Sequence, residues 1–233
     1  KDSNFDLREI PIRKLIHAGE PGANVPATKS RIESTWDAKC YDHAGASEIG
    51  AHSFECEIQP NGIHIIESEF IIEVLDPKTL LPVGIGELGE LIITNLGRIG
   101  YPVIRYRSGD LVRINKVICE CGRTFSRLEG GVLGRVDDMV VIRGINVFPS
   151  AIENLIHQCN LVDEYRVLVS IEREMANLTI ELELNKKTCD EKAIKTVDQA
   201  LRNKLGLRSE IKIVPNGSLP RFEMKSKRFN VIK

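Results

Sequence analysis

From residue 138 onward the apolar pattern changes period in a fixed order that few architectures accept. DDMVVIRG is a short apolar run of strand type, after which Pro149 and Ser150 open a helix with Ile152, Leu155, Ile156 and Cys159 on one face. EYRVLVSIE and NLTIELEL alternate as strands do, around the polar turn REMAN. Asp190 begins a second helix with Ile194, Val197, Leu201 and Leu205 facing inward, Gly206 stops it, and EIKIVP reads as a last strand. The order β-α-β-β-α-β predicts two split βαβ units in a small ferredoxin-like α+β sandwich, with a tail behind it.

Upstream, IHIIESEFIIEVLD, ELGELIITNL and PVIRYRSGDLVRI are strand-like runs cut by Asp-Pro and Gly-rich turns. Ahead of them, stretches such as KLIHAGEP alternate with a helix expected over ATKSRIESTW, which suggests α/β packing too short to close a doubly wound sheet alone. The expected class is therefore mixed α/β and α+β. Residues 1–63 read as the end of a large α/β domain, 64–137 as a β-rich subdomain, and 138–233 as the ferredoxin-like α+β C-terminal domain with its tail. On this reading the chain begins inside a domain.

The formal net charge of −1 and the aromatic content of 5% argue against nucleic acid as a partner, despite the KSKR cluster in the tail. No apolar run reaches the roughly 18 residues of a spanning helix, and KDSNFDLREIPIRKL has no signal-peptide core, so no membrane partner and a cytoplasmic address are expected. Self-association into a homodimer stays open. Two motifs mislead. Gly84, Gly86 and Gly89 match G-x-G-x-x-G, but a strand follows instead of the helix that pyrophosphate binding needs, so they read as turn residues. GASEIG around Ser47 has Ile49 where a nucleophile elbow needs glycine.

The six cysteines are too scattered for a disulfide scaffold and are expected as reduced thiols or metal ligands. Cys119-Glu-Cys121 and His52-x-x-x-Cys56 together offer four soft or borderline ligands for a closed structural zinc site, with Cys40 and His64 as alternatives.

AGEPG, GASE, IRYRSGD, CECGRTF, GRVDDMVVIRGINVFPSAIE and LPRFEMKSKR occur in the order seen in phenylacetate-CoA ligases and their relatives among the adenylate-forming acyl-CoA synthetases. The chain resembles the C-terminal half of such an enzyme, which implies that alone it is inactive. The resemblance implies ATP-dependent adenylation of a small carboxylic acid, phenylacetate or a related aromatic acid, followed by thioester formation with coenzyme A. It assigns roles residue by residue. Asp110 matches the carboxylate that accepts hydrogen bonds from the ribose hydroxyls, and Arg135 an arginine on ribose or phosphate. Glu48 matches a Mg²⁺-associated glutamate, with Ser47 near the phosphate, while Glu20 and Pro21 match the wall of the adenine and acyl pocket. Asp137 falls at the hinge about which the small domain rotates between half-reactions. Arg143 and Gly144 match the lining of the thioester-forming tunnel, and Lys225 the tail lysine that holds developing charge during adenylation. Two positions depart from the pattern: Ala44 replaces the tyrosine expected to stack on adenine, and Met224 a tail glycine. A different reading keeps the chain as a non-catalytic nucleotide- or ligand-binding module without a phosphate loop.

Overall fold

The computed structural model describes residues 6–19, 23–172, 175–185, 188–221 and 228–232. The chain divides into two compact units, residues 1–137 and 138–233. The fold class is the mixed α/β and α+β one that the sequence implies.

In the first unit, β1 (Lys14–His17) and β2 (Lys39–Asp42) pair in parallel across the connecting helix α1 (Pro26–Trp36). Parallel neighbours need such a crossover. Pro26 starts α1 at a position where a missing N–H costs nothing, and Asp37 ends it in the left-handed region at φ 50°. A small hairpin follows, β3 (Gly45–Ala46) and β4 (Gly50–Ala51). Next come β5 (Ser53–Glu55), β6 (Gly62–Ile65), β7 (Phe70–Leu75), β8 (Leu88–Asn95), β9 (Tyr106–Asn115), β10 (Arg127–Glu129) and β11 (Gly134–Arg135). These form one seven-stranded antiparallel sheet in the order β5-β6-β10-β9-β8-β7, with β11 added on β9. Ile63, Ile65, Leu91, Ile93, Val112 and Leu128 are its buried centre. Gly89 lies within β8, where a Cβ would meet the Leu75 carbonyl oxygen at 2.8 Å, while Gly86 takes φ +79° in the preceding turn. Both glycines thus serve strand packing and turning, as read from the strand that follows them.

Buried Lys29 of α1 reaches Glu55 of β5 with Nζ 2.7 Å from each carboxylate oxygen. The same carboxylate accepts the backbone N–H groups of Asp42 at 2.7 Å and Asn61 at 2.8 Å. That full set of partners is what makes a buried ion pair tolerable.

The second unit opens with the hairpin β12 (Val140–Ile142) and β13 (Ile145–Val147), followed by α2 (Pro149–Cys159), β14 (Val162–Glu172), β15 (Met175–Leu184), α3 (Asp190–Leu205), β16 (Glu210–Ile213) and β17 (Phe229–Ile232). The sheet runs β16-β15-β14-β17; β14 and β15 are antiparallel, and each outer strand is parallel to its inner neighbour. Ile152, Leu155 and Ile156 of α2 and Ala193, Val197 and Leu201 of α3 complete one core with Val167, Val169, Ile180 and Leu182. Two details differ from the sequence reading. DDMVVIRG supplies only the hairpin strand β12, because Arg143 and Gly144 take φ of 49° and 81° and turn the chain back on itself; the sheet position is filled instead by β17 from the tail. Ile194 is 37% exposed, since the buried stripe of α3 runs through Ala193 at the i−4 position from Val197.

Among the described residues no helix is long and apolar enough to cross a membrane.

Candidate functional site

Strand register joins the two most specific motifs. β11 pairs with β9 so that Arg135 of GRVDD lies directly opposite Asp110 of YRSGD. The Arg135 Nη1 atom is 3.2 Å from Asp110 Oδ1 and 3.3 Å from the Ser108 carbonyl oxygen, while Nε is 3.0 Å from Asp137 Oδ1. The Val136 N–H donates to the Gly109 carbonyl at 2.7 Å. Gly109 is required twice over: its φ is +75°, and a Cβ there would stand 2.9 Å from the guanidinium. Burial pushes the Asp110 carboxyl up, against the pull of Arg135 and the Ser108 hydroxyl. The result is a half-buried acceptor-only carboxylate flanked by a fork of donors, a combination suited to hydroxyl and phosphate groups on one ligand.

The other arginines of IRYRSGD are occupied structurally. Arg105, just before β9, bridges Glu73 of β7 at 2.9 Å, and Arg107 places Nε 3.0 Å from buried Glu90, stitching β9 to β8. Ser47 and Glu48 sit exposed on the β3–β4 turn. That turn is fixed from below: Ile49 is buried, its carbonyl accepts from Asn95 Nδ2 at 3.1 Å, and the Glu48 carbonyl accepts from Arg98.

In the second unit Arg143 and Gly144 form the β12–β13 turn, with Arg143 Nη2 3.0 Å from Asn177 Oδ1. Glu20, Pro21 and Lys225 lie outside the described residues. Arg221 and Arg228, on either side of the stretch 222–227 that contains Lys225, are described, and two buried carboxylates hold them. Glu183 accepts from the Gly217 N–H (2.9 Å), the Leu219 N–H (2.6 Å) and Arg221 Nη2 (2.5 Å). Glu164 accepts from Arg228 Nε at 2.5 Å and Nη2 at 3.0 Å. Neither anchor is evident from local sequence, because both pair residues far apart in the chain.

The expected metal ligands separate. Cys56, Cys119 and Cys121 converge, but the histidine beside them is His64, and the ligand atoms of all four lie within 4.8 Å of one another. Cys56 Sγ is 3.5 Å from Cys119 Sγ, and Cys121 Sγ is 3.6 Å from His64 Nε2. The Arg123 backbone N–H holds the Cys121 thiol down, to about 6. His52 does not join them. It precedes an extended strand, where four residues span about 13 Å, so His-x-x-x-Cys cannot chelate as it would on a helix. His64 instead faces Phe54 across the β5–β6 pair, one diagonal step from Cys56. Cys40 pairs elsewhere, its Sγ 3.4 Å from His17 Nε2.

His52 is 1% exposed, edge-on to Phe70, with no partner for Nδ1 among the described residues. Burial, aided by His43, lowers its pKa from 6.5 to about 4. The folded state therefore keeps the ring neutral while the unfolded chain protonates it, so stability should fall as pH drops from 6.5 and level off below 4. His52→Leu is expected to flatten that slope, recovering about 2–3 kcal/mol at pH 4 relative to pH 7. Urea midpoints across that pH range check it; parallel curves for both proteins would show the ring is protonated when folded.

Residues 144–230 match the AMP-binding enzyme C-terminal domain family. The phenylacetate-coenzyme A ligase of Escherichia coli is 32% identical over 232 residues, spanning 96% of this chain and 52% of that protein. That of Thermus thermophilus is 29% identical over 236 residues, 92% of this chain and 52% of its own length. A crystal structure of 2-hydroxyisobutyryl-CoA ligase in the postadenylation state with 2-HIB-AMP is 30% identical and superposes with a TM-score of 0.89 over 98% of this chain and 50% of that one. An open conformation of the same enzyme with 2-HIB-AMP and CoA gives 0.65 at 31% identity, over the same shares of both chains. The chain spans about half the length of the curated relatives it matches. Together with the register that joins YRSGD to GRVDD, these likenesses place the chain in the phenylacetate-CoA ligase family of adenylate-forming enzymes, as the counterpart of their C-terminal half.

Proposed function

We propose that this chain is the C-terminal half of an ATP-dependent carboxylate-CoA ligase of the cytoplasm acting on phenylacetate or a related aromatic acid. In the first half-reaction the acid's carboxylate oxygen attacks the α-phosphorus of ATP and pyrophosphate leaves. In the second the coenzyme A sulfur, its proton lost, attacks the acyl carbon and AMP leaves. The observation that carries the reading is the in-register junction of Asp110 with Arg135. Asp110 accepts the ribose hydroxyls and Arg135 turns its donors to ribose or phosphate oxygens. Glu48, an exposed carboxylate on an anchored turn beside Ser47, offers the hard oxygen that Mg²⁺ takes, and the ion would offset phosphate charge. Glu20 and Pro21 wall the adenine and acyl pocket, and Lys225 serves the first half-reaction.

Asp137 is the last residue of the first unit, which suits a hinge between half-reactions that need different sites. Arg143 and Gly144 then serve the second half-reaction; glycine at a tight turn leaves room for the pantetheine arm.

Pyrophosphate release by the complete ligase against a panel of acids tests the proposal. Phenylacetate-dependent release is expected, with Asp110→Ala raising the KM for ATP about 10²-fold. Nucleotide binding with no acid-dependent release would support the non-catalytic module instead, and preference for a small hydroxy acid would remove the aromatic assignment.

A further inference from the structure

The geometry points to a structural zinc ion held by Cys56, His64, Cys119 and Cys121, independent of the ligase reading. A tetrahedral site with Zn–S of about 2.3 Å and Zn–N of about 2.0 Å has ligand-to-ligand edges of roughly 3.5–3.8 Å. The S···S and S···N separations here are 3.5 and 3.6 Å, and no ligand atom of the four is more than 4.8 Å from another. Three sulfurs and one imidazole nitrogen, with no carboxylate in the set, select zinc over hard cations.

The surroundings fit the same ion. His64 is completely buried, and its Nδ1 lies 3.2 Å from the Phe125 carbonyl oxygen. A carbonyl only accepts, so Nδ1 carries the proton and the Nε2 lone pair faces the sulfurs, the tautomer a metal-bound histidine uses. The Gln59 N–H donates to Cys56 Sγ at 3.3 Å, a contact that suits a thiolate. Three buried or half-buried thiols could serve as small apolar fillers, but filling needs no buried imidazole aimed among them.

All four positions are protein groups, so the ion would have no open coordination site and would act on folding rather than chemistry. Cys56 directly follows β5, His64 lies on β6, and Cys119 and Cys121 belong to the connection between β9 and β10. The ion would clamp that connection onto the end of the seven-stranded sheet.

The test uses the 233-residue chain purified without chelator. About one zinc per chain is expected. Zinc should be lost in Cys119→Ser and His64→Asn but kept in His52→Leu. X-ray absorption should give three sulfurs and one nitrogen, and cobalt exchange should give tetrahedral visible bands with thiolate charge transfer. The last two measurements need no variant, so a misfolded mutant leaves the proposal testable. Metal-free protein with six titratable thiols, a Cys56–Cys119 disulfide, bound iron instead of zinc, or zinc that follows His52 instead of His64 would each overturn it.

Discussion

Lys225→Ala in the complete ligase is expected to reduce acid-dependent pyrophosphate release by about 10²–10³-fold, the usual loss when one preorganised charge-stabilising group is removed. Thioester formation from supplied acyl-adenylate and coenzyme A should stay within about threefold of the parent, because the proposed role of the side chain lies only where charge builds on the phosphate oxygens. Lys227→Ala, altering the other lysine in PRFEMKSK, should leave both rates near normal. Stopped-flow assays of the two half-reactions separate the cases. Equal losses in both would show that Lys225 acts through folding or binds both reactants alike.

Glu183→Ala is expected to cost about 3–5 kcal/mol in the second unit, the range for breaking a buried, fully partnered charge. The carboxylate is completely buried, and removing it strands the Gly217 and Leu219 N–H groups together with Arg221. Arg221 chiefly, and then the two backbone donors, hold the Glu183 pKa at about 2 rather than 4.5. A depressed folded-state value means its stabilisation is complete above pH 4.5 and is lost as pH falls toward 2. With Arg221 half exposed, about 2 kcal/mol of acid-sensitive stability is a reasonable scale after screening. Hydrogen exchange at the amides of β15 reads this locally. Glu183→Gln should abolish the acid-dependent loss of protection, corrected for the intrinsic exchange rate, between pH 4.5 and 3, and an unchanged profile would mean the carboxylate is already protonated when folded.

Local periodicity was enough for the amphipathic helices α2 and α3 and the long hairpin of β14 and β15, since each repeats its pattern over many residues. It was not enough for β17, a four-residue strand whose partner β14 lies far upstream. Motif order located Asp110 and Arg135, but their adjacency depends on the β9–β11 register, which no local pattern encodes. The metal ligands show the same limit. Sequence spacing favoured His52 because it is close in number to Cys56, whereas sheet pairing selects His64 because it is close in space. Long-range pairing decided each of these differences, and local pattern alone could supply none of them.

The two anchors beside the tail also set a reach. Arg221 and Arg228 are fastened to Glu183 and Glu164, and Phe229 continues directly into β17. Three residues of fully extended chain span about 10 Å, so the Lys225 α-carbon can never stray farther than that from the Arg228 α-carbon. The chain on either side of position 225 is thus tied to carboxylates within residues 138–233. On the proposed hinge reading, any larger displacement of that lysine is displacement of residues 138–233 as a body. If that travel limits turnover, the overall rate should slow with solvent viscosity even where the chemistry itself does not.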